Sequence, residues 1–200
     1  MTIDVNVENT TEDFLEELDE IIEDTMIQMF FLQPKNEEEL EKAKEDAEEY
    51  SALFYAAPLS LKDETDANCI GYRIQSASQL QDLPQLDKPL FIDESIIYDE
   101  TVALLKERKE EGIILNATDT YDSLENFFVA LGAGNIDRFD TEALASLSMD
   151  KIVFQSGFPT HDFDGLYTTA KKISAALFRP EESIVARATK HTLQLTGFKK

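Results

Sequence analysis

Cysteine is nearly absent from the sequence, and so are long apolar runs. The one cysteine, Cys69, can form no internal disulfide and no CxxC metal or redox motif, so we expect a reducing, cytoplasmic setting. The first ten residues, MTIDVNVENT, lack the basic and apolar regions of a signal peptide. No apolar run approaches the roughly 18 residues needed to cross a membrane, so we expect no membrane association.

Basic residues are also scarce. The chain has 18 Lys and Arg against 41 Asp and Glu, for a formal net charge of −23. Residues 1–50 hold 18 acidic residues and three lysines, whereas residues 151–200 hold four acidic and eight basic residues. Such a chain is expected to repel nucleic acid unless a bound metal ion reverses the charge locally. The acidic segments predict solvated helix faces, with a surface for a basic protein partner as the alternative.

Apolar segments alternate with helical patterns along the whole chain. The 42% of hydrophobic residues, with 13 Phe, provide a sizeable core, and 200 residues suit a single domain over 1–200. Runs such as TMIQMFFLQ (25–33) and SALFYAAP (51–58) predict strands buried on both faces. About seven such strands favour an α/β fold with a parallel (β/α) TIM-like barrel. A doubly wound parallel sheet is the alternative.

The later part of the chain fits this pattern less well. The sequence DSLENFFVALGAG (122–134) predicts a helix that ends at glycines, and residues 134–150 contain too little for two further complete β/α units. We therefore expect the barrel to be shortened or distorted in its later β/α units.

Polar residues recur at the predicted strand ends, where a parallel barrel places its functional groups. Five of them are carboxamides, which donate and accept hydrogen bonds but carry no charge and bind divalent metals weakly. Each can be explained as a strand entering solvent, whereas together they suggest a shared polar pocket. The residues are Asn6, Glu8, Gln33, Gln75, Glu94, Asn116, Asp119, Gln155 and Ser156.

Four segments match the motifs of one known family. IDVNVE (3–8) stands where members read I-D-x-H-x-H, and DESIIY (93–98) stands where they read G-E-I-G-L-D. IILNATD (113–119) offers Asn116 where a strand usually ends with a ligand His, and IVFQSGFP (152–159) overlays L-L-L-E-T-D-A-P. On these segments the chain resembles the TatD family of metal-dependent hydrolases, within the amidohydrolase superfamily. The resemblance implies a TIM-like barrel.

Most of the metal ligands of that family are replaced in this sequence. Of the usual ligands, Glu94 alone is retained, and amides or glycine stand at most of the other positions. The replaced positions are Asn6, Glu8, Asn116, Gln155, Ser156 and Gly157. Set against the resemblance, these replacements indicate a degenerate member, a pseudoenzyme.

The favoured functional interpretation is therefore a TatD-related barrel that performs no catalysis and needs no cofactor. It is expected to bind a small polar ligand or a protein partner. The pocket candidates are Asn6, Glu8, Glu94, Asn116, Gln155 and Ser156.

The alternative is an active metal-dependent hydrolase of the phosphodiesterase or DNase type. It would bind Mg²⁺, Mn²⁺ or Zn²⁺ through an atypical set of Glu8, Glu94, Asp119 and His161. His161 belongs to the loop HDFD, and its other interpretation is an exposed loop whose Asp162 or Asp164 caps the following helix.

Overall fold

Eight parallel strands, each paired with the next along the chain, close into a barrel. The computed structural model describes residues 1–62, 66–81, 83, 85–108 and 110–198. The strands are β1 Thr2–Val7, β2 Ile27–Leu32, β3 Leu53–Pro58, β4 Cys69–Ile74, β5 Leu90–Asp93, β6 Gly112–Leu115, β7 Phe127–Leu131 and β8 Ile152–Phe154. The prediction of a parallel TIM-like α/β barrel is confirmed.

Helices surround the barrel on its outer side. Among the described residues they are α1 Glu12–Glu16, α2 Leu18–Asp24, α3 Glu37–Glu49, α4 Ala77–Gln81, α5 Asp99–Glu107, α6 Thr141–Ser146, α7 Asp164–Leu177 and α8 Glu181–Leu195. None of the helices in these ranges is both long enough and apolar enough to cross a membrane.

The later β/α units are abbreviated, although not as the sequence suggested. The described chain has no α-helix between β6 and β7, and β7 lies at Phe127–Leu131 inside the segment predicted as a helix over 122–134. That helix prediction is wrong. Leu124, Phe127 and Leu131 have helical spacing, but the run FFVAL is also short and continuously apolar, as in a buried strand. Pairing with β6 and β8 stabilises FFVAL as a strand rather than as a helix.

The core consists of two layers separated by the sheet. Val5, Phe31 and Phe91 fill the inside of the barrel, while Phe14 and Phe30 lie in the layer between strands and helices. Phe30 and Phe31 are neighbours in β2 and face opposite layers, as side chains alternate along a strand. Both layers are buried, which accounts for the continuous apolar runs in the sequence.

A bulge in β1 changes which side chains face the barrel interior. Asp4 is paired with Phe30 and Val7 with Leu32, so β1 advances three residues while β2 advances two. Val5 consequently lies in the inner layer and Val7 in the outer layer. The bulge directs the Asn6 side chain into the barrel, where it meets Asn116 after β6 and Gln155 after the neighbouring β8.

The seam between β1 and β8 is closed by backbone hydrogen bonds, such as Gly157 N–H to the Asn6 carbonyl at 3.0 Å, and by the carboxyl group of Asp4. Strand β8 has three residues, and Asp4 is paired with Phe154. Asp4 Oδ1 accepts hydrogen bonds from the backbone N–H of Ser156 at 2.8 Å and of Asn6 at 3.1 Å. Asp4 is 0% exposed, and this burial raises the pKa of its carboxyl group despite the hydrogen bonds from Ser156 and Asn6.

The raised pKa of Asp4 predicts how stability depends on pH. The folded state binds this proton more tightly than the unfolded state, so the contribution of Asp4 is fully present below the unfolded pKa, near 3.8, and is lost as pH rises through the folded pKa. We expect the stability of the wild type relative to Asp4→Asn, which keeps the Oδ1 acceptor, to fall as pH rises. Urea unfolding of both proteins at a series of pH values measures this difference, and a difference that grows with pH would contradict it.

The junction between β7 and β8 requires a residue without a side chain. A Cβ atom on Gly132 would overlap the backbone carbonyl oxygen of Gln155, which cannot move aside as a side chain can. We expect Gly132→Ala to destabilise the fold by about 3 kcal/mol, measured by urea unfolding. Gly134→Ala is the matched control, because its Cβ would meet the exposed ring of His161, which can rotate away. Equal losses in the two variants would rule out this explanation.

Candidate functional site

A cavity of about 450 Å³ opens at the carboxyl ends of the strands. We call it the mouth cavity; its lining includes Glu8, Asp93, Glu94, Asn116, Gln155, Ser156 and His161. A second cavity of about 480 Å³ lies on the flank of the barrel, beside Met26 and Tyr167, and none of the predicted site residues lines it. The mouth cavity is therefore the candidate site.

Three amide side chains form a hydrogen-bonded network at the base of the mouth cavity. Gln155 Nε2 donates to Asn116 Oδ1, and the backbone N–H of Asn116 donates to Gln155 Oε1, both at 3.0 Å. Asn6 Nδ2 lies 3.4 Å from Gln155 Oε1 and 3.5 Å from Asn116 Oδ1. Asn6 belongs to β1, Asn116 follows β6 and Gln155 follows β8. The network therefore connects three strands without a charged group.

Asn116 holds this position through its backbone conformation. Its φ of 56° lies in the left-handed region, which asparagine tolerates better than most residues. Its side-chain Nδ2 donates to Asp93 Oδ2 at 2.7 Å. Asn116 thus joins the amide network to a carboxylate at the end of β5.

Asp93 is ionised at neutral pH. Burial opposes its charge, but hydrogen bonds from Ser95 and Asn116 and the nearby charge of Arg73 outweigh that effect and hold the pKa of Asp93 below its ordinary value. A carboxylate with a lowered pKa is a weak general base. Asp93 therefore suits hydrogen bonding better than proton abstraction.

Glu94 accepts hydrogen bonds from residues of the loop after β6. Its Oε1 accepts from the backbone N–H of Thr118 at 2.8 Å, from the Thr118 hydroxyl and from the Tyr121 hydroxyl at 2.6 Å. Burial, with the hydrogen bond and charge of Glu94, raises the pKa of Tyr121 far above its ordinary value. Tyr121 therefore remains a donor, and Glu94 holds the loop in place.

Glu8 and His161 lie at the rim of the mouth cavity. Glu8 forms an ion pair with Lys35, with 2.9 Å between Oε2 and Nζ. His161 is exposed and its ring lies beside Gly134.

The aspartates after His161 do not cap α7. The N-cap residue is Phe163, with no side-chain hydrogen bond at the cap, so the prediction of a cap by Asp162 or Asp164 is wrong.

Four polar residues predicted at strand ends lie outside the lining of the mouth cavity: Asn6, which reaches the lining through its hydrogen bonds, and Asp119, Gln33 and Gln75. Asp119 is exposed, and its Oδ1 accepts from the backbone N–H of the next residue at 2.7 Å. Gln33 is buried and donates through Nε2 to the carbonyl of Val5 at 2.9 Å. Gln75 is exposed and donates to the carbonyl of Lys35. Their polarity is explained by local contacts.

The donor set does not fit the divalent metal that the TatD resemblance implies. Of the predicted ligands, Glu8, Glu94 and His161 line the mouth cavity, whereas Asp119 does not. Across the described ranges, no three His, Cys, Asp or Glu side chains are grouped so that they could hold a metal ion. The amides of Asn6, Asn116 and Gln155 bond to one another at the strand ends.

Sequence reasoning missed three charged residues in or near the mouth cavity. Asp93 follows the apolar run LFI and directly precedes Glu94, so its place at a strand end was a usable signal. Arg73 interrupts the apolar run CIGYRI, which is unusual for a buried strand. Arg138 lines the cavity from the loop after β7, and no pattern in the sequence points to it.

No protein-family model and no curated protein matches the sequence. Among solved structures, a TatD family hydrolase from Entamoeba histolytica matches with a TM-score of 0.67 and 10% identity, covering 97% of each chain. A 2,6-dihydroxybenzoate decarboxylase from Rhizobium matches with a TM-score of 0.63 and 12% identity, covering 98% of each chain. At these identities the likeness shows the fold. The barrel that the TatD resemblance implied is the fold of this chain.

Proposed function

We propose that this chain is a non-catalytic barrel that binds a small polar ligand in the mouth cavity. The observation that carries the proposal is the amide network of Asn6, Asn116 and Gln155, which lies at the strand ends where the TatD-type motif has charged or imidazole ligands. Amides that bond to one another provide neither a base nor a strong metal ligand.

The carboxylates of the mouth cavity support the same proposal. Asp93 has a lowered pKa, and Glu94 accepts hydrogen bonds from Thr118 and Tyr121. Glu8 is paired with Lys35. A general base needs a group that is free to take a proton near neutral pH, and none of these three carboxylates is well suited to that task.

The size and lining of the cavity favour a small molecule as the occupant. A volume of about 450 Å³ lies within the usual range for ligand pockets, roughly 300–1,000 Å³. The lining combines amide, hydroxyl and charged groups, which suit a polar molecule with several hydrogen-bonding atoms.

Metal analysis tests the absence of catalysis. We expect protein purified without chelator to contain far less than one equivalent of divalent metal. We also expect no phosphodiesterase turnover with Mg²⁺, Mn²⁺ or Zn²⁺, because the site lacks a convergent ligand set. Elemental analysis and a model phosphodiester assay measure these quantities. Stoichiometric metal with turnover that Glu94→Ala abolishes would establish the metal-dependent hydrolase instead.

The substitution Asn116→Asp tests the amide network. Asn116→Asp would replace the donor to Asp93 with a second carboxylate, and two adjacent carboxylates raise the pKa of one of them. We expect a loss of about 2 to 3 kcal/mol in the free energy of unfolding at pH 7, and a smaller loss at acidic pH, where the extra proton restores a donor.

The control for this experiment is Asn126→Asp, which makes the same change in charge at an exposed position. Urea unfolding of both variants at neutral and acidic pH gives the comparison. If Asn116→Asp matched the control at both pH values, the network would contribute nothing to stability and the proposal would lose its main support.

A further inference from the structure

We propose that the mouth cavity recognises an oxyanion, a carboxylate or phosphate group on a small molecule, through Arg138 at its rim. This inference rests on the proposed function, since it names the class of ligand that the cavity binds. The supporting observation is that some arginines of the chain form ion pairs with carboxylates and others do not.

Two of the five arginines form ion pairs with carboxylates. Arg108 lies 3.3 Å from Glu110, and Arg187 lies 3.3 Å from Asp150. Arg73, Arg138 and Arg179 have no carboxylate oxygen within 4.0 Å among the described residues. This is unexpected in a chain with 41 acidic residues.

One of these three arginines lines the mouth cavity, and a second, Arg73, lies near two carboxylates of that lining. Arg138 is exposed and contributes to the lining of the mouth cavity. Arg73 is paired with Phe91, whose ring lies inside the barrel, so its side chain extends inward from β4. Glu8 and Asp93, which both line the cavity, are close enough to Arg73 to raise its pKa against the effect of burial.

Arg73 is unusual because it is buried and has no ion pair among the described residues. It is 8% exposed, and its Nη1 donates to the backbone carbonyl of Gln33. Burial lowers the pKa of Arg73, but a guanidinium remains charged in proteins. Buried charges are normally paired with an opposite charge, and Arg73 has no direct one among the described residues. Its charge is offset at longer range by the carboxylates of Glu8 and Asp93.

The acidic groups of the mouth cavity are already engaged, whereas Arg138 has no ion pair among the described residues. Glu8 pairs with Lys35, Asp93 accepts from Asn116, and Glu94 accepts from the loop after β6. The unused binding capacity of the cavity is therefore cationic. A guanidinium presents parallel N–H donors that match the two oxygens of a carboxylate or phosphate.

Calorimetric titration tests the inference, with inorganic phosphate and succinate as separate probes and with metal removed beforehand on a chelating resin. We expect saturable binding of at least one probe. Arg138→Ala should weaken that binding by roughly tenfold or more, because a charge-assisted hydrogen bond is lost. Arg138→Lys should recover part of the affinity, since it restores the charge but not the paired donors. The probe that binds identifies the oxyanion.

The matched control is Arg179→Ala. Arg179 is also exposed and without an ion pair among the described residues, but it lies between α7 and α8, outside the cavity lining. It should bind the probe as the wild type does. No saturable binding of either probe, or equal binding by Arg138→Ala and the wild type, would overturn the inference. The absence of bound metal and turnover is measured separately, so the two proposals can fail independently.

Discussion

The closure of the barrel between its first and last strands is the constraint on which the rest of the structure depends. Strand β8 has three residues, and its pairing with β1 is continued by backbone hydrogen bonds of Gly157 and Phe158. The carboxylate of Asp4 supplements that pairing by accepting two backbone N–H groups across the seam and the bulge. Backbone N–H groups buried without an acceptor are costly, so the carboxylate makes both the bulge and the short strand tolerable.

The geometry of the mouth follows from this closure. Because β1 lies beside β8, Asn6 reaches Gln155 although 149 positions separate them in the sequence. The bulge between Asp4 and Val7 sets Asn6 on the inner side, where it completes the network with Asn116. In a metal-dependent barrel a cation can join such strand ends, whereas here neutral hydrogen bonds do so. These bonds are directional and do not need a bound ion.

The sequence predicted those parts of the fold that rest on continuous apolar runs, and it failed where pairing overrides local pattern. Strands such as β2 and β3 are marked by burial on both faces, but the FFVAL run of β7 has helical spacing as well. For the candidate site, the amides at the strand ends were visible. Their mutual contacts depend on a bulge and a closed seam, and neither has a signature in one sequence. Arg73 was missed because its strand was interpreted only as an apolar run.

A closed sheet has no edge strand, and this has a consequence for how molecules of the protein behave toward one another. Exposed edges pair readily with strands of other chains, and the barrel hides every edge except when its shortest strand detaches. An opened seam would present the backbone groups of β1 to a second molecule. The net charge of −23 opposes that encounter through repulsion between chains. The high net negative charge of the protein therefore disfavours edge-to-edge association between molecules whose seam has opened.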